Sequence, residues 1–318
     1  MVSFPARSTR YYSSLINPDD PDDPIARQVV PDPRESEPSP HLGLDPLAEE
    51  QHSPVPGLIR RFRDRALVLA HGECPVHCRH CFRRHRRGHG PLPQEAIEVI
   101  VSWLKDHPEI REVLISGGEP LLNSDDALDH MLERIKSIPS VRWLRLATRM
   151  PVVDPKRVTE ALARHLASYG PMHIATHFNH PRELTPKAIT ALAHLVDAGL
   201  PVINQAVLLR KVNNDVATLE ALFTGLVEAR VRPYHLFQTD LVAGTDHLRV
   251  PTPKALDLMD ELRTRVSGLA LPTLAVDHPK AASKIILDRG SVLSTKDGIT
   301  RLRSPDGRIF EYPEPAQR

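Results

Sequence analysis

The feature that most constrains the fold is an alternation of short β-type runs with longer amphipathic runs, which begins near Arg65. The β-type runs cover residues 66–70, 112–116, 142–148, 173–178, 202–209 and 233–238, and a further one covers 272–276. Runs with the apolar spacing of a helix follow the first six, at 93–105, 125–137, 155–168, 186–198, 215–230 and 254–266. Six β-α units in succession predict a parallel sheet with helices outside it, in a full or partial α/β barrel. Functional side chains are then expected just after the strands, on one rim.

The two ends of the chain differ from this central part. Residues 17–40 contain seven prolines among acidic residues and show no apolar period. Such a stretch cannot offset its own ordering entropy, so it is either disordered or laid over the main body. The apolar residues Ile25, Val29 and Val30 favour a strap packed on the barrel. We therefore divide the chain into an arm (1–56), a barrel (57–270) and a C-terminal segment (271–318).

Composition excludes several classes of protein. Lys plus Arg (41) nearly cancels Asp plus Glu (40), so no overall field attracts nucleic acid or an anionic membrane. Three cysteines in 318 residues do not make a disulfide framework. No run approaches the roughly 18–20 apolar residues that span a bilayer, and the first residues lack the apolar core of a secretory signal. A globular cytoplasmic protein is the expectation.

All three cysteines lie within eight residues, at Cys74, Cys78 and Cys81, directly after the first predicted strand. A structural zinc site normally needs a fourth Cys or His ligand, and nearby histidines are available to supply one. The alternative is an iron–sulfur cluster held by three thiolates, which leaves one iron for a ligand that is not protein. The residues alone leave both readings open.

The spacing Cys-x3-Cys-x2-Cys after the first strand of an α/β barrel resembles the radical S-adenosylmethionine (SAM) superfamily. The resemblance implies a [4Fe-4S] cluster whose open iron binds SAM, and reductive cleavage of SAM to a 5′-deoxyadenosyl radical. The segment around Gly117, Gly118 and Glu119 resembles the Gly-Gly-Glu element that contacts the SAM amino group in that family. Glycines there permit a close approach of the backbone to a ligand.

Further segments narrow the resemblance to lysine 2,3-aminomutases, over roughly residues 18–290. These segments are 22–31, 53–57, 61–65, 176–181, 204–210 and 232–234. Enzymes of this family combine the cluster and SAM with pyridoxal 5′-phosphate (PLP) and move an amino group between adjacent carbons. The resemblance implies a partial (β/α)6 TIM-like barrel with a C-terminal PLP-binding extension, and places His177 and Gln205 near SAM.

The resemblance also implies the residues that bind PLP. Lys284 stands seven residues after Asp277, at the family's spacing for the lysine that binds PLP covalently. The family's glycines before this lysine are replaced here by Ala281, Ala282 and Ser283, and Lys280 is a competing candidate. Arg61 and Arg65 match the arginines that bind the PLP phosphate, in keeping with the directed bonds that Arg makes to phosphate oxygens.

Three more residues match the family's substrate site. Arg83, two residues after Cys81, matches the arginine that binds the substrate carboxylate. Asp240 and Asp277 match the two aspartates that bind the distal ammonium of lysine. Two buried carboxylates that converge on one point require a cation between them, which favours L-lysine as the substrate.

The resulting hypothesis is an isomerase that converts L-lysine to β-lysine and receives its electron from a flavodoxin- or ferredoxin-type donor. One alternative is a PLP- and SAM-dependent amino-acid racemase or epimerase, in which Tyr234 replaces the usual hydrogen-donating cysteine. Another is the same mutase acting on arginine or another amino acid. A zinc or nucleic-acid module is a third, because residues 79–87 form a basic run. A homo-oligomer is possible.

Overall fold

A nine-stranded sheet forms the centre of the molecule, in a computed structural model that describes residues 4–86, 88, 90–281 and 283–316. The strands lie in the order of the chain: β1 (Leu58–Ile59), β2 (Arg65–His71), β3 (Glu112–Gly117), β4 (Trp143–Ala147), β5 (Met172–Thr176), β6 (Val202–Val207), β7 (Arg232–Phe237), β8 (Thr273–Val276) and β9 (Ile285–Ile286). Strands β2 to β8 are all parallel, and the two-residue strands β1 and β9 add antiparallel edges. The predicted six β-α units with a seventh parallel strand are confirmed.

Short helices precede the sheet in the chain, and further helices lie between its parallel strands. Within the described ranges these are α1 (Arg10–Ser13), α2 (Ala26–Val29), α3 (Gln94–Lys105), α4 (Asp125–Lys136), α5 (Met150–Val153), α6 (Glu160–Ser168), α7 (Pro186–Asp197), α8 (Val216–Glu228) and α9 (Thr252–Arg265). The six long helices, α3, α4 and α6 to α9, follow β2 to β7 one by one. In the part of the chain that the structure describes, no helix is both long and apolar enough to cross a membrane.

Apolar side chains on the outer face of the sheet pack against these helices. In β3 and β4, Val113, Ile115, Leu144 and Leu146 are all fully buried. Helix α6 begins later than predicted. The side chain of Thr159 accepts a hydrogen bond from the Leu162 backbone and caps the helix, so the segment from residue 155 starts with a separate 3₁₀ turn.

The C-terminal segment contains a second sheet that the sequence pattern did not predict. Strands β10 (Val292–Lys296), β11 (Ile299–Arg303) and β12 (Ile309–Pro313) form an antiparallel meander. The turn between β10 and β11 has the sequence Asp-Gly, which favours a two-residue hairpin turn in which both central residues have positive φ. Asp297 and Gly298 have φ values of 52° and 73°.

The arm packs on the barrel, and residues 4–56 are called the strap below. Tyr12, Ile25 and Val29 are buried in the same apolar core as the strands. Val30 was expected to be a third anchor, but this expectation is wrong, since the residue is 49% exposed. It follows helix α2, and its extended backbone turns the side chain away from the barrel surface that Val29 contacts.

The substitution Ile25→Ala tests how firmly the strap is held. Removing this fully buried side chain is expected to lower the free energy of unfolding by about 2–4 kcal/mol, because lost apolar contact and a cavity both cost energy. The matched control Val30→Ala, at the exposed strap position, is expected to change it by less than about 0.5 kcal/mol. Chemical denaturation of both variants measures the difference. Equal stability of the two would mean that the strap is not packed on the barrel.

Candidate active site

The carboxyl ends of β2 to β8 form one rim of the barrel, and most of the predicted site residues lie in the loops that follow these strands. The loop after β2, residues 72–86, carries the three cysteines and is called the cysteine loop below. Gly117 ends β3, and His177 directly follows β5. Asp240 and Asp277 follow the neighbouring strands β7 and β8.

The three cysteines are free thiols, and each retains some exposure to solvent. Burial and the charge of Cys78 raise the pKa of Cys81 to about 11. Burial and the other two cysteines also raise the pKa of Cys74. The thiols therefore lie close enough to oppose one another's ionisation. Among the residues described, no group of three or more His, Cys, Asp or Glu side chains is arranged to hold one metal ion.

Carboxylates of the strap neutralise the basic residues of the cysteine loop. Glu35 accepts hydrogen bonds from both Arg79 and Arg84, which are 1% and 5% exposed. Asp45 pairs with Arg86 at 3.0 Å. Carboxylates of the strap thus neutralise these three arginines of the basic run, which weakens the support for a nucleic-acid module. Arg87, at the end of that run, lies outside the described residues.

The strap also binds the backbone of the cysteine loop. The Arg79 backbone N–H donates to the Gln28 carbonyl at 2.8 Å, and the His77 backbone N–H donates to the Arg7 carbonyl at 2.8 Å. Arg79 donates through its side chain to the carbonyls of Phe4 and Pro5. The conformation of the loop therefore depends on the strap as well as on the barrel.

Both glycines of the Gly-Gly-Glu element are needed for close packing against the cysteine loop. Gly117 has a φ of +121°, which strains any residue with a side chain. A Cβ on Gly118 would lie 2.1 Å from the Glu73 carbonyl oxygen. The Gly118 and Glu119 backbone N–H groups donate to the carbonyls of His71 and Glu73 at 2.6 and 2.8 Å. The two loops thus form one continuous part of the rim.

The Glu119 carboxylate is buried and already hydrogen-bonded. Its Oε1 accepts from the Thr148 hydroxyl at 2.6 Å and from the Leu121 backbone, and its Oε2 accepts from the Arg149 backbone at 2.8 Å. Burial outweighs these bonds and raises its pKa to about 7. Oε2 accepts only this one bond and retains a lone pair for a further donor. Contact with the SAM amino group stays a prediction for this residue.

Arg149, which follows β4, connects several parts of the site and was missed in the sequence. Its guanidinium donates to the sulfur of Cys78 at 2.8 Å, to Gln28 of the strap at 2.6 Å and to Glu183 at 2.8 Å. Its position directly after a barrel strand was the signal that could have identified it.

His177 and Gln205 are brought together at the ends of β5 and β6. The His177 ring Nδ1 lies 3.0 Å from the Gln205 carbonyl oxygen. Burial and the nearby charge of Arg149 lower the pKa of His177 to about 4. The ring is therefore neutral at physiological pH.

A second group of charges lies around β8. The Lys284 ammonium donates to Asp277 at 2.5 Å and lies 4.5 Å from the centre of the Phe237 ring. Arg61 lies 3.7 Å from the other oxygen of Asp277 and donates to the His278 carbonyl at 3.1 Å. Burial alone would raise the pKa of Asp277, but the two cations outweigh it and lower that pKa.

Asp240 belongs to the same group of charges. It is partly buried, and desolvation together with the charge of Asp277 raises its pKa to about 7. Lys284 and Arg61 oppose this increase, and Glu49 of the strap adds to it. The two carboxylates at the ends of β7 and β8 therefore interact electrostatically, and Asp277 contacts both cations while Asp240 resists ionisation.

The two arginines predicted to bind phosphate differ in their surroundings. Arg61 and Lys284 lie beside the two oxygens of the same carboxylate, that of Asp277, as described above. Arg65 begins β2, pairs with Asp64 at 3.4 Å and stacks on Phe62 at 4.1 Å. The same ring lies 5.4 Å from Arg61, so one aromatic side chain separates the two guanidinium groups.

Arg83 forms an ion pair with Glu49, a residue that was not among those predicted from the sequence. Its Nε and Nη2 donate to the two carboxylate oxygens of Glu49, at 2.8 and 2.6 Å. Its Nη1 donates to the Gly117 carbonyl at 3.1 Å. Arg83 thereby links the cysteine loop, the Gly-Gly-Glu element and the strap.

Comparison with known proteins shows the family to which this chain is similar. The radical SAM superfamily matches residues 70–222. L-lysine 2,3-aminomutase from Bacillus subtilis is 41% identical over 98% of this chain and 67% of its own length. The enzyme of the same name from Clostridium subterminale is 40% identical over 96% of this chain and 74% of its own length.

Two further proteins are similar over large parts of the chain. Glutamate 2,3-aminomutase from Clostridioides difficile is 38% identical over 96% of this chain and 73% of its own length. Among solved structures, a radical SAM methyltransferase from Sphaerobacter thermophilus matches with a TM-score of 0.50 and 19% identity. That match covers 69% of this chain and 68% of the methyltransferase, and it supports the fold.

The chain belongs to the lysine 2,3-aminomutase family. It is a radical SAM enzyme and an isomerase, and its cofactors are a [4Fe-4S] cluster, SAM and PLP. The substrate is an amino acid. The predicted family, fold class and cofactors are confirmed.

The cysteine loop fits the cluster of a lysine 2,3-aminomutase. Cys74, Cys78 and Cys81 bind iron only as thiolates, and desolvation together with the neighbouring cysteines raises the pKa of Cys74 and of Cys81. Iron supplies the positive charge that thiolates need in such a place. The Arg149 guanidinium beside Cys78 adds a hydrogen bond of the kind that tunes thiolate ligands.

The neighbourhood of Lys284 fits PLP. Two buried polar atoms near it, Arg61 Nε and His235 Nδ1, have no hydrogen-bond partner among the described residues. Burial and the charge of Lys284 lower the pKa of His235 to about 4, so its ring is neutral. Buried donors are rarely left unpaired in native proteins, and a phosphate or a pyridine ring would supply partners.

The substitution Asp240→Asn tests the electrostatics of this site. The pKa of Asp240 is about 7 in the folded protein, and its ordinary value is 3.8. Between these two pH values the folded protein keeps a proton on Asp240 that the unfolded chain has lost. The free energy of unfolding of the wild type therefore falls as pH rises through this window. The Asn variant is expected to gain stability relative to the wild type from about pH 4 to about pH 7 and to keep a constant advantage above it.

Denaturation of the reconstituted protein at several pH values, without substrate, measures this difference. Asp126→Asn, at an exposed position of α4, is the matched control. A stability difference that does not change with pH would contradict the raised pKa of Asp240.

Proposed function

We propose that this enzyme is an L-lysine 2,3-aminomutase, which converts L-lysine to β-lysine. The observation that carries the proposal is the pair of partly buried carboxylates, Asp240 and Asp277, beside Lys284. Asp277 already binds a primary ammonium, that of Lys284, and this is the same chemical group as the end of a lysine side chain. A lysine that holds PLP covalently cannot also keep its ammonium on Asp277, and the two carboxylates are then available to the substrate.

We assign three roles to the protein side chains in this reaction. Lys284 is the covalent attachment point of PLP, with Arg61 and Arg65 on its phosphate. Arg83 binds the substrate carboxylate, and Asp240 and Asp277 bind its ε-ammonium. Cations and anions placed at both ends of the substrate fix the position of the carbons between them, which is a large part of catalysis.

The cofactors supply the chemistry that the side chains lack: the cluster and SAM give the radical that removes a hydrogen, and PLP carries the migrating amino group. The chain orients these groups. Gly117, Gly118 and Glu119, with His177 and Gln205, are assigned to SAM because they border the cysteine loop on the same rim. The packed strap limits access of water to the cysteine loop.

The acid pair also argues against other substrates. Glutamate 2,3-aminomutase is similar to this chain, but glutamate has an anionic side chain that Asp240 and Asp277 would repel. Arginine carries a cation and remains the nearest competitor. A racemase needs a hydrogen donor on the opposite face, and the three cysteines of the sequence are all assigned to the cluster. Tyr234, the alternative donor, is 38% exposed.

An external one-electron donor of flavodoxin or ferredoxin type is the proposed reductant of the cluster. A homo-oligomer, the cytoplasmic location and the three-part division of the chain stay predictions.

The identity of the product tests the proposed function. The cluster is reconstituted without oxygen, and SAM, PLP, dithionite and L-lysine are added. Chiral chromatography with mass detection is expected to show β-lysine, with no net consumption of SAM. D-lysine, or lysine that gains deuterium at the α-carbon in heavy water, would identify a racemase. Turnover of arginine or glutamate with no turnover of lysine would overturn the substrate.

A pair of variants tests the PLP lysine. Lys284→Ala is expected to lose covalently bound PLP. The loss is seen as missing visible absorbance after gel filtration, and as a missing phosphopyridoxyl mass increment, which borohydride reduction fixes on the wild type. Turnover is expected to fall at least about 10³-fold. Lys280→Ala, at the exposed neighbouring lysine, is expected to retain both. The opposite result would transfer the assignment to Lys280.

A further inference from the structure

Glu49 is a buried carboxylate that the reaction described above does not use. It is 4% exposed and lies in the strap, before the first strand of the sheet. Both of its oxygens accept hydrogen bonds from Arg83, the proposed carboxylate-binding residue. A two-point contact of this kind fixes the plane of a guanidinium group as well as its position.

The hydrogen bonds described for Arg83 do not use all of its N–H groups. A guanidinium has five N–H donors in one plane. Glu49 takes one on Nε and one on Nη2, and the Gly117 carbonyl takes one on Nη1. Among the described residues, one N–H on Nη1 and one on Nη2 have no hydrogen-bond partner, and these two nitrogens form the end of the guanidinium, the edge at which a second carboxylate can bind. The Arg83 side chain is 14% exposed, so a ligand is able to reach it.

The turn that carries Glu49 is itself anchored. The Glu49 backbone N–H donates to Asp45 at 3.0 Å, and Asp45 also pairs with Arg86 of the cysteine loop at 3.0 Å. Leu47, between them, is buried. The backbone of Glu49 and its carboxylate are therefore both held in place. This is expected for a residue that positions Arg83, and not for a side chain that moves aside when substrate binds.

Glu49 also faces the rest of the proposed substrate site. Its charge contributes to the raised pKa of Asp240, so the Arg83–Glu49 pair and the carboxylate pair are parts of one region. A substrate held by its carboxylate at Arg83 and by its ammonium at Asp240 has to span this region.

We propose that Glu49 is a positioning residue, which holds Arg83 side-on so that the free end of the guanidinium receives the substrate carboxylate. This rests on the proposed function of Arg83. Glu49 also neutralises Arg83 before substrate arrives, because an unpaired buried guanidinium would be costly.

Variants Glu49→Gln and Glu49→Ala, with L-lysine and L-lysinamide as ligands, test the proposal. Lysinamide has the same amine and side chain but no carboxylate. Binding is followed by the change in the visible absorbance of enzyme-bound PLP, and KM and kcat are measured where turnover occurs. Glu50→Gln, at the exposed neighbouring carboxylate, is the matched control, and iron and PLP contents are measured for every variant.

The Ala variant is expected to bind L-lysine about tenfold more weakly, with a smaller loss for Gln, because the charge-assisted bonds that orient Arg83 are lost. Its affinity for lysinamide is expected to change less than about twofold, since that ligand has no carboxylate to misplace. The loss is expected in KM, with kcat changed less.

Three results would overturn the role of Glu49. Tighter binding of lysine by the Ala variant would mean that Glu49 competes with the substrate carboxylate. An equal loss for both ligands would mean a general structural role. Unchanged affinity for both ligands in both variants would mean that Arg83 does not need Glu49 to bind the carboxylate.

Failure of the proposed function gives different results. A wild type that binds lysine and lysinamide equally would refute the role of Arg83, and the role of Glu49 with it. A wild type that acts on another amino acid refutes only the substrate. The same comparison is then made with that amino acid and its amide, and the test of Glu49 remains valid.

Discussion

Carboxylates of the strap form ion pairs with the buried arginines of the cysteine loop. The rest of the site depends on this interaction. The loop contains several arginines within a few residues, and Arg79 and Arg84 are almost fully buried. Burying a charge costs several kcal/mol unless an opposite charge and hydrogen bonds accompany it. Glu35 provides both for this pair of arginines. The loop that positions the cysteines is thus stable in its observed form only when the strap is in place.

This arrangement connects parts of the chain that are far apart in sequence. Arg149 contacts Cys78 on one side and Gln28 of the strap on another. Arg83 contacts Glu49 of the strap and the carbonyl of Gly117. The proposed sites for the cluster, SAM and the substrate carboxylate are therefore held in place by the same residues. A structural change in the strap would alter all three sites.

The sequence predicts the barrel well because its signal is local and repeated. Each β-α unit carries its own apolar period, so the parallel strands β2 to β8 follow from the pattern without knowledge of distant contacts. The same pattern placed the cysteines directly after the first strand. The family resemblance selected the two aspartates, and their positions after β7 and β8 put them on the same rim. Cofactors and family came from motifs and not from periodicity.

What the sequence did not predict depends on long-range pairing. Glu49 and Arg149 look like ordinary charged residues until folding places them on Arg83 and Cys78, more than thirty residues away in each case. Val30 resembles Val29 in type, yet only the backbone direction after helix α2 decides which of the two is buried. Strands β10 to β12 are short and half exposed, so they lack a clear apolar alternation.

A crystal structure of the anaerobic enzyme with its cluster, SAM, PLP and L-lysine is the most direct test of this account. The account predicts the lysine carboxylate on the free end of Arg83, with Glu49 still bound to the side of that guanidinium. It also predicts the lysine ε-ammonium between Asp240 and Asp277. A lysine carboxylate bound elsewhere, or an ε-ammonium that contacts neither aspartate, would contradict the central claim that these fixed charges select and orient the substrate.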